Sequence, residues 1–170
     1  AHRVPGERCT DNDLKGTAEQ VAARYVAAMD ELEFQRAFEA VWELIAAVDA
    51  YINEKAPWSI AKADGADSAR LRRVLYNCLE SLRLVAVMVE PMMPAIARRL
   101  LDQLGSTAGT GEAALRWGGL EPGASLGAEE SALFPRADVD AYFAEVNMDT
   151  RTDTAAPAAP AVAPTEASAP

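Results

Sequence analysis

The chain has 170 residues, half of them hydrophobic, and carries 26 acidic against 16 basic side chains for a net charge of −10. This length and apolar content suit one domain with a genuine core, no apolar run is long enough to cross a bilayer or to act as a signal peptide, and the net charge opposes long-range attraction to a polyanion. Cys9 and Cys78 lack CxxC spacing and the single histidine, His2, sits in a polar leader, so neither a disulfide framework nor a metal site is indicated.

Residues 1–9, with Pro5 and Gly6 and no apolar period, read as a loop or a severed connection. From Thr10, a suitable N-cap, Leu14, Ala18, Val21, Ala22, Tyr25, Val26 and Met29 recur at three- and four-residue spacing and predict one face of a helix. Gly16 weakens that helix by about 1 kcal/mol relative to Ala. A stronger period through Phe34, Ala37, Phe38, Val41, Trp42, Leu44, Ile45, Val48, Tyr51 and Ile52 predicts a second helix. It has to finish before Pro57, which lacks an amide proton and disfavours helical geometry in the residue before it. After the corner at Ala56, Pro57 and Trp58, residues 59–62 suit one short turn, and Asp64 and Gly65 mark a loop. Asp67 or Ser68 then caps a third helix, for which Leu71, Val74, Leu75, Cys78, Leu82, Val85 and Val89 form the expected buried stripe, with the arginines mostly to the side. Cys78 reads there as a small core residue. Pro94 is placed to open a fourth helix using Ile96, Leu100 and Leu104, with Gly105 as its stop.

Beyond Gly105 the pattern thins. Residues 106–111 read as a loop, Trp117, Leu120 and Leu126 as isolated apolar anchors of a stretch that wraps over the bundle, and residues 138–146 as a short terminal helix. From Thr150 the chain is Ala, Pro, Thr and Ser, too poor in large apolar side chains to offset the entropy of ordering. The expected fold is therefore all-α: residues 1–9 a connection, 10–148 an antiparallel helical bundle with an extended C-terminal segment, and 149–170 a disordered Ala/Pro-rich linker.

No catalytic constellation emerges. There is no glycine-rich phosphate loop and only one histidine, and the carboxylates, Glu129 and Glu130 among them, fall on faces expected to be solvated. The charge is unevenly spread: residues 53–99 hold eight bases and five acids, a local surplus of +3 that leaves −13 elsewhere. Those bases read either as a solvated helix surface or as a phosphate-facing patch. The most informative spot is the corner Asn53, Glu54, Lys55, Ala56, Pro57, Trp58. An indole fixed just after a helix-ending proline, between Lys55 and Lys62, suits stacking on an unpaired base, worth about 1–3 kcal/mol per base. The same indole could equally cap the end of the bundle core, and spacing alone leaves both readings open.

The run from Val48 through Asp49, Tyr51, Ile52, Asn53, Ala56, Pro57 and Trp58 to Ala61 and Lys62 resembles the "N-x-Y-I, several residues, A-P-W, then A-K" segment of bacterial-type methionyl-tRNA synthetases. Leu32, Glu33 and Phe34, and then Ala40, Trp42, Glu43 and Leu44, are similar to that family's leucine, glutamate, phenylalanine run and its "A-x-W-E-L" core. Glu90, Pro91, Met92, Met93 and Pro94, followed by Trp117 and Gly118 and by Leu133, Phe134, Pro135 and Arg136, resemble its later punctuation. The resemblance covers residues 11–146 and implies the helical bundle of a class I synthetase that grips a CAU anticodon, here severed from its catalytic domain. It implies that Trp58 is the stacking tryptophan and Pro57 its rigid support, with Lys55, Lys62, Arg70 and Arg73 near phosphates of tRNA(Met). It further implies a parent enzyme that attaches methionine to tRNA with ATP, a cytoplasmic location, no membrane partner, and no cofactor in this stretch, ATP and zinc belonging to the catalytic domain. A homodimer formed through a domain beyond the tail is part of the same expectation. Two features depart from the family: its "N-x-x-x-R" readers, which normally lie upstream of this stretch, are absent, and Asp49 replaces the usual asparagine, removing an amide donor; the "HIGH" and "KMSKS" signatures are likewise absent. A scaffold or protein-interaction module, and the anticodon bundle of another class I synthetase, are the competing readings.

Overall fold

A computed structural model of the chain describes residues 3–5, 12–62, 68–106, 109, 111–127, 132–134, 138–139 and 143. The regular elements among them are helices α1 (Asn12–Asp30), α2 (Phe34–Lys55), α3 (Pro57–Lys62), α4 (Ser68–Val89) and α5 (Pro94–Gln103), with one 3-10 turn at Glu112–Leu115. Two compact units are present, Ala1–Leu133 and Phe134–Pro170, and all of these elements belong to the first. The expected caps at Thr10 and Asp67, the loop at Asp64 and Gly65, the residues His2 and Cys9, the pair Glu129 and Glu130, Pro135 and Arg136, most of the expected 138–146 helix and the tail from 149 lie outside the described residues, while Ser68, the alternative cap, is the first residue of α4.

The described residues form the expected all-α bundle. α1 and α2 make a hairpin through a turn at residues 31–33, where Leu32 adopts a left-handed backbone (φ 58°) and Glu33 N–H donates to Ala28 O at 2.8 Å. So short a turn forces the helices antiparallel, and Arg24 pairs with Glu43 across them. Leu14, Ala18, Val21, Ala22 and Tyr25 from α1 meet Ala37, Ala40, Val41, Leu44, Val48 and Tyr51 from α2 in the main core, each fully buried Val or Leu contributing about 1.5–3 kcal/mol. Phe34 and Trp42, assigned to this stripe from periodicity, are instead 45% and 66% exposed.

α4 departs most from expectation. Of its expected stripe Val74 and Val89 are buried, whereas Leu75 and Leu82 are exposed. The helix lies between neighbours: α1, α2 and α3 contact it, and so do α5 and the 3-10 turn. Burial therefore follows Tyr76, Asn77, Glu80, Ser81, Arg83, Leu84, Val87 and Met88, a face that mixes polar with apolar residues. Its polar members are paired inside. Asn77 Nδ2 donates to the Tyr51 hydroxyl at 3.0 Å, Ser81 Oγ donates to Asn77 O at 2.9 Å, and the Tyr25 hydroxyl donates to Met88 O at 2.7 Å.

α5 opens on Pro94 as expected and closes at Gly105. Gly105 N–H donates to Asp102 O at 3.0 Å and Ser106 N–H to Leu101 O at 2.9 Å, the paired bonds of a Schellman cap. Gly105 is left-handed, and a Cβ there would lie 2.1 Å from Ser125 O. Both constraints demand glycine. The segment after it does wrap over the bundle: Leu115 enters the main core, and Leu120 joins Val4, Tyr76 and Leu104 in a second, smaller cluster. Val4 ties the leader to the bundle. It is 2% exposed, Arg3 bridges Ser125, and Val4 N–H donates to Ala124 O at 2.8 Å. One apolar residue in a polar leader carries no period, so the sequence hid this anchor.

Candidate nucleic-acid interface

The end of α2 sets the geometry of the corner. Ala56 takes a left-handed conformation (φ 43°, ψ 62°) and its N–H donates to Ile52 O, satisfying a carbonyl at the helix end. A left-handed alanine costs about 1–2 kcal/mol. Pro57, with its fixed φ, opens α3 where its missing N–H costs nothing, and Ala56 O accepts from the N–H groups of Ser59 and Ile60 at 2.8 and 3.3 Å. The chain thus turns at one residue into α3, which packs on α4. Ile60 packs back on the main core, which turns Trp58 outward at 50% exposure. Trp58 therefore does not plug the bundle. The helix begins at Pro57, two residues before the short turn expected over 59–62.

Beside this corner the ends of α2 and α4 form a cleft of about 120 Å³ lined by Tyr51, Lys55, Arg70, Arg73 and Val74. Lys55 Nζ sits 5.4 Å above the Tyr51 ring centroid, a cation–π arrangement that steadies it, and lies 2.9 Å from Glu54 Oε1. Tyr51 is itself held by Asn77, which is 0% exposed. Asn77 Oδ1 has no hydrogen-bond partner among the described residues. Of the expected phosphate contacts, Lys55, Arg70 and Arg73 come together in this cleft, while Lys62 is exposed at the far end of α3 and does not line it. Asp49 is exposed, and its main-chain carbonyl accepts from Asn53 Nδ2 at 2.9 Å.

Two charged residues leave the surface reckoning. Arg83, counted with the basic patch, is 1% exposed, and Glu80, expected on a solvated face, is 0% exposed. Arg83 Nη2 donates to Glu80 Oε1 at 2.7 Å and to Arg116 O at 2.7 Å, and Nη1 donates to Ala114 O at 2.7 Å. Glu80 accepts from the N–H groups of Gly118, Gly119 and Leu120 at 2.8, 3.0 and 2.9 Å. Together they strap residues 114–120 to α4. Gly119 makes room, since a Cβ there would lie 2.7 Å from Arg83 Cζ. The glycine pair after Trp117 was the available signal of so close an approach.

The charge is polarised along α2. At its start Glu31, Glu33, Glu39 and Glu43, with Arg24 and Arg36, line a groove against α1, while the cationic cleft and Trp58 lie at its finish. The 22 residues of α2 separate these ends by about 33 Å, several times the screening length of about 8 Å at physiological salt. The charge of Glu31 and Glu33 at the far end is therefore largely screened at Trp58. Among the described residues no group of three or more His, Cys, Asp or Glu side chains converges to hold a metal ion, and no helix is long and apolar enough to cross a membrane.

A family model described as the anticodon binding domain of methionyl tRNA ligase matches residues 5–146. The methionine–tRNA ligase of Caldanaerobacter subterraneus subsp. tengcongensis is 35% identical over 145 residues, 85% of this chain and 22% of that protein. The Bacillus subtilis methionine–tRNA ligase is 39% identical over 97 residues, 57% of this chain and 14% of that protein. Among solved structures, the apo form of Mycobacterium tuberculosis methionyl-tRNA synthetase superposes with a TM-score of 0.69 at 33% identity, covering 80% of this chain and 28% of that one. The same enzyme in complex with methionyl-adenylate gives 0.69 at 33% identity, covering 79% and 27%. The chain thus spans about a fifth of the length of the curated relatives it matches.

Proposed function

The chain belongs to the methionyl-tRNA ligase anticodon-binding family, and from that premise we propose that its Ala56, Pro57, Trp58 corner grips the anticodon loop of tRNA(Met) for a methionine–tRNA ligase. The observation that carries this reading is the half-exposed indole of Trp58, held on a proline-stiffened turn beside a cationic cleft. Stacking needs a fixed aromatic face open to solvent, and cations nearby to hold the phosphates. Pro57 supplies the rigidity, while Lys55, Arg70, Arg73 and the more distant Lys62 supply the charge.

In this reading the methionine- and ATP-using chemistry belongs to the larger part of the enzyme that this chain does not span. The described residues do not fit a zinc ion, since no group of three ligands converges, and no step here passes through one. A cytoplasmic location is part of this proposal, supported by the relatives' enzymatic class, and so is a homodimer formed through a domain beyond the Ala/Pro-rich tail.

The test is Trp58→Ala in the full-length enzyme. Loss of tRNA charging with methionyl-adenylate formation intact is the expected result; unchanged charging would end the proposal.

A further inference from the structure

We propose that the cleft between the last turn of α2 and the first turns of α4 is a seat for one RNA backbone phosphate, and that Glu54 is the carboxylate this phosphate displaces. The inference rests on the anticodon-loop reading of Trp58 and adds a second, separable contact to it.

Three cations from two elements line one small space. Arg70 and Arg73 stand three residues apart on α4, so they share a helix face, and Lys55 comes from α2 opposite them. The walls are tied together beneath the cleft by the buried hydrogen bond from Asn77 Nδ2 to the Tyr51 hydroxyl, 3.0 Å long. The space is therefore formed before any ligand arrives. A space of about 120 Å³ has room for a phosphate group. Two guanidinium forks and an ammonium match phosphate oxygens, which accept charge-assisted hydrogen bonds in pairs. Lys55 lies three residues from Trp58, so their Cα atoms are within about 11 Å, the span of neighbouring nucleotides.

Glu54 is one competitor inside the site. Its carboxylate pairs with Lys55 Nζ at 2.9 Å and is 72% exposed. Lys55 Nζ stands over the Tyr51 ring that lines the cleft, so the exposed Glu54 carboxylate reaches it from the solvent side. A pair whose carboxylate stays in solvent is weak, and a phosphate flanked by two further arginines replaces it.

The experiment titrates an RNA hairpin carrying a CAU loop into the full-length polypeptide that contains this domain, by fluorescence anisotropy over a series of salt concentrations. Arg73→Gln is expected to weaken binding to hairpins of any loop sequence alike and to lower the slope of log K against log salt by about 1. Arg73→Lys should keep the slope, and Glu54→Gln should bind more tightly at low salt. Trp58→Ala should weaken binding with the slope unchanged, because stacking releases no counterion. If Arg70→Gln, Arg73→Gln and their double variant keep the wild-type slope while Trp58→Ala weakens binding, the phosphate seat is overturned and the anticodon reading survives. A weaker Glu54→Gln complex overturns the displacement. If Trp58→Ala binds as wild type does, the anticodon reading falls, and the phosphate seat with it.

Discussion

The Glu80 carboxylate and the Arg83 guanidinium, three residues apart on α4 and 0% and 1% exposed, are locked in an ion pair of 2.7 Å whose other hydrogen bonds all reach the segment 114–120. Isolated buried charges are costly, but this pair is satisfied on both sides. Removing one partner leaves the other charged and unpaired. Glu80→Ala should therefore destabilise the domain by about 3–5 kcal/mol, read as a lower urea midpoint, and Arg83→Met should do the same. Gly119→Ala should destabilise the domain as well, because its Cβ would lie 2.7 Å from Arg83 Cζ and the guanidinium cannot move away without losing hydrogen bonds to Glu80 and to the strap. Losses below about 1 kcal/mol for both Glu80→Ala and Arg83→Met would mean that apolar burial of Leu115 and Leu120, and not this pair, holds the strap.

Helices α1 and α2 were legible because each buries one stripe against one side of the bundle, which is the condition under which periodicity works. α4 was not. It is enclosed on several sides, and its covered face includes Glu80 and Arg83, which hydropathy places in solvent. The Trp58 corner was legible from Pro57 and from family likeness, whereas the convergence of Lys55 with Arg70 and Arg73 depends on the packing of α2 on α4 and leaves no trace in local spacing. Tyr51 and Asn77, 26 positions apart, illustrate the same limit: no local rule pairs them.

The α4 discrepancy is itself testable. Leu75 and Leu82 are 41% and 39% exposed, and Leu84 is 1% exposed. Leu75→Gln and Leu82→Gln should each change stability by less than about 1 kcal/mol, while Leu84→Ala should cost about 2.7–5 kcal/mol through lost burial and a residual cavity. Chemical denaturation of the three variants orders them directly. Equal losses at Leu82 and Leu84 would show that a further element covers the exposed stripe.

Ala56 supports a prediction of unusual sign. An alanine-to-glycine change inside a helix costs about 1 kcal/mol, but Ala56 is left-handed (φ 43°), where glycine carries no penalty. Relief of that strain offsets the extra freedom glycine gives the unfolded chain, so Ala56→Gly should leave stability within about 0.5 kcal/mol of wild type. Ala56→Val, β-branched in the same conformation, should destabilise by at least about 1 kcal/mol. Thermal melts of the two variants decide it. A glycine variant that loses as much as the valine variant would show that the corner is not left-handed in solution.

The last prediction concerns alkaline pH. Burial raises the Cys78 thiol from its ordinary 9.0 to about 11, and burial together with the negative charge of Glu90 raises the Tyr25 hydroxyl above its ordinary 10.0. Both groups are neutral when protonated, so the folded chain holds these protons at pH values where the unfolded chain has released them. Unfolding then releases protons, and stability falls as pH rises. The Cys78 contribution is complete below about 9 and is lost as pH climbs through about 11, and that of Tyr25 begins to fall near its ordinary 10.0. Urea midpoints at pH 8, 10 and 11 should therefore drop less steeply for Cys78→Ala than for wild type. Tyr25→Phe should start lower, having lost its 2.7 Å hydrogen bond to Met88 O, yet decline more gently above pH 10. If Cys78→Ala and wild type decline in parallel over that range, the thiol is as well solvated in the folded chain as in the unfolded one, and its place beside the main core is wrong.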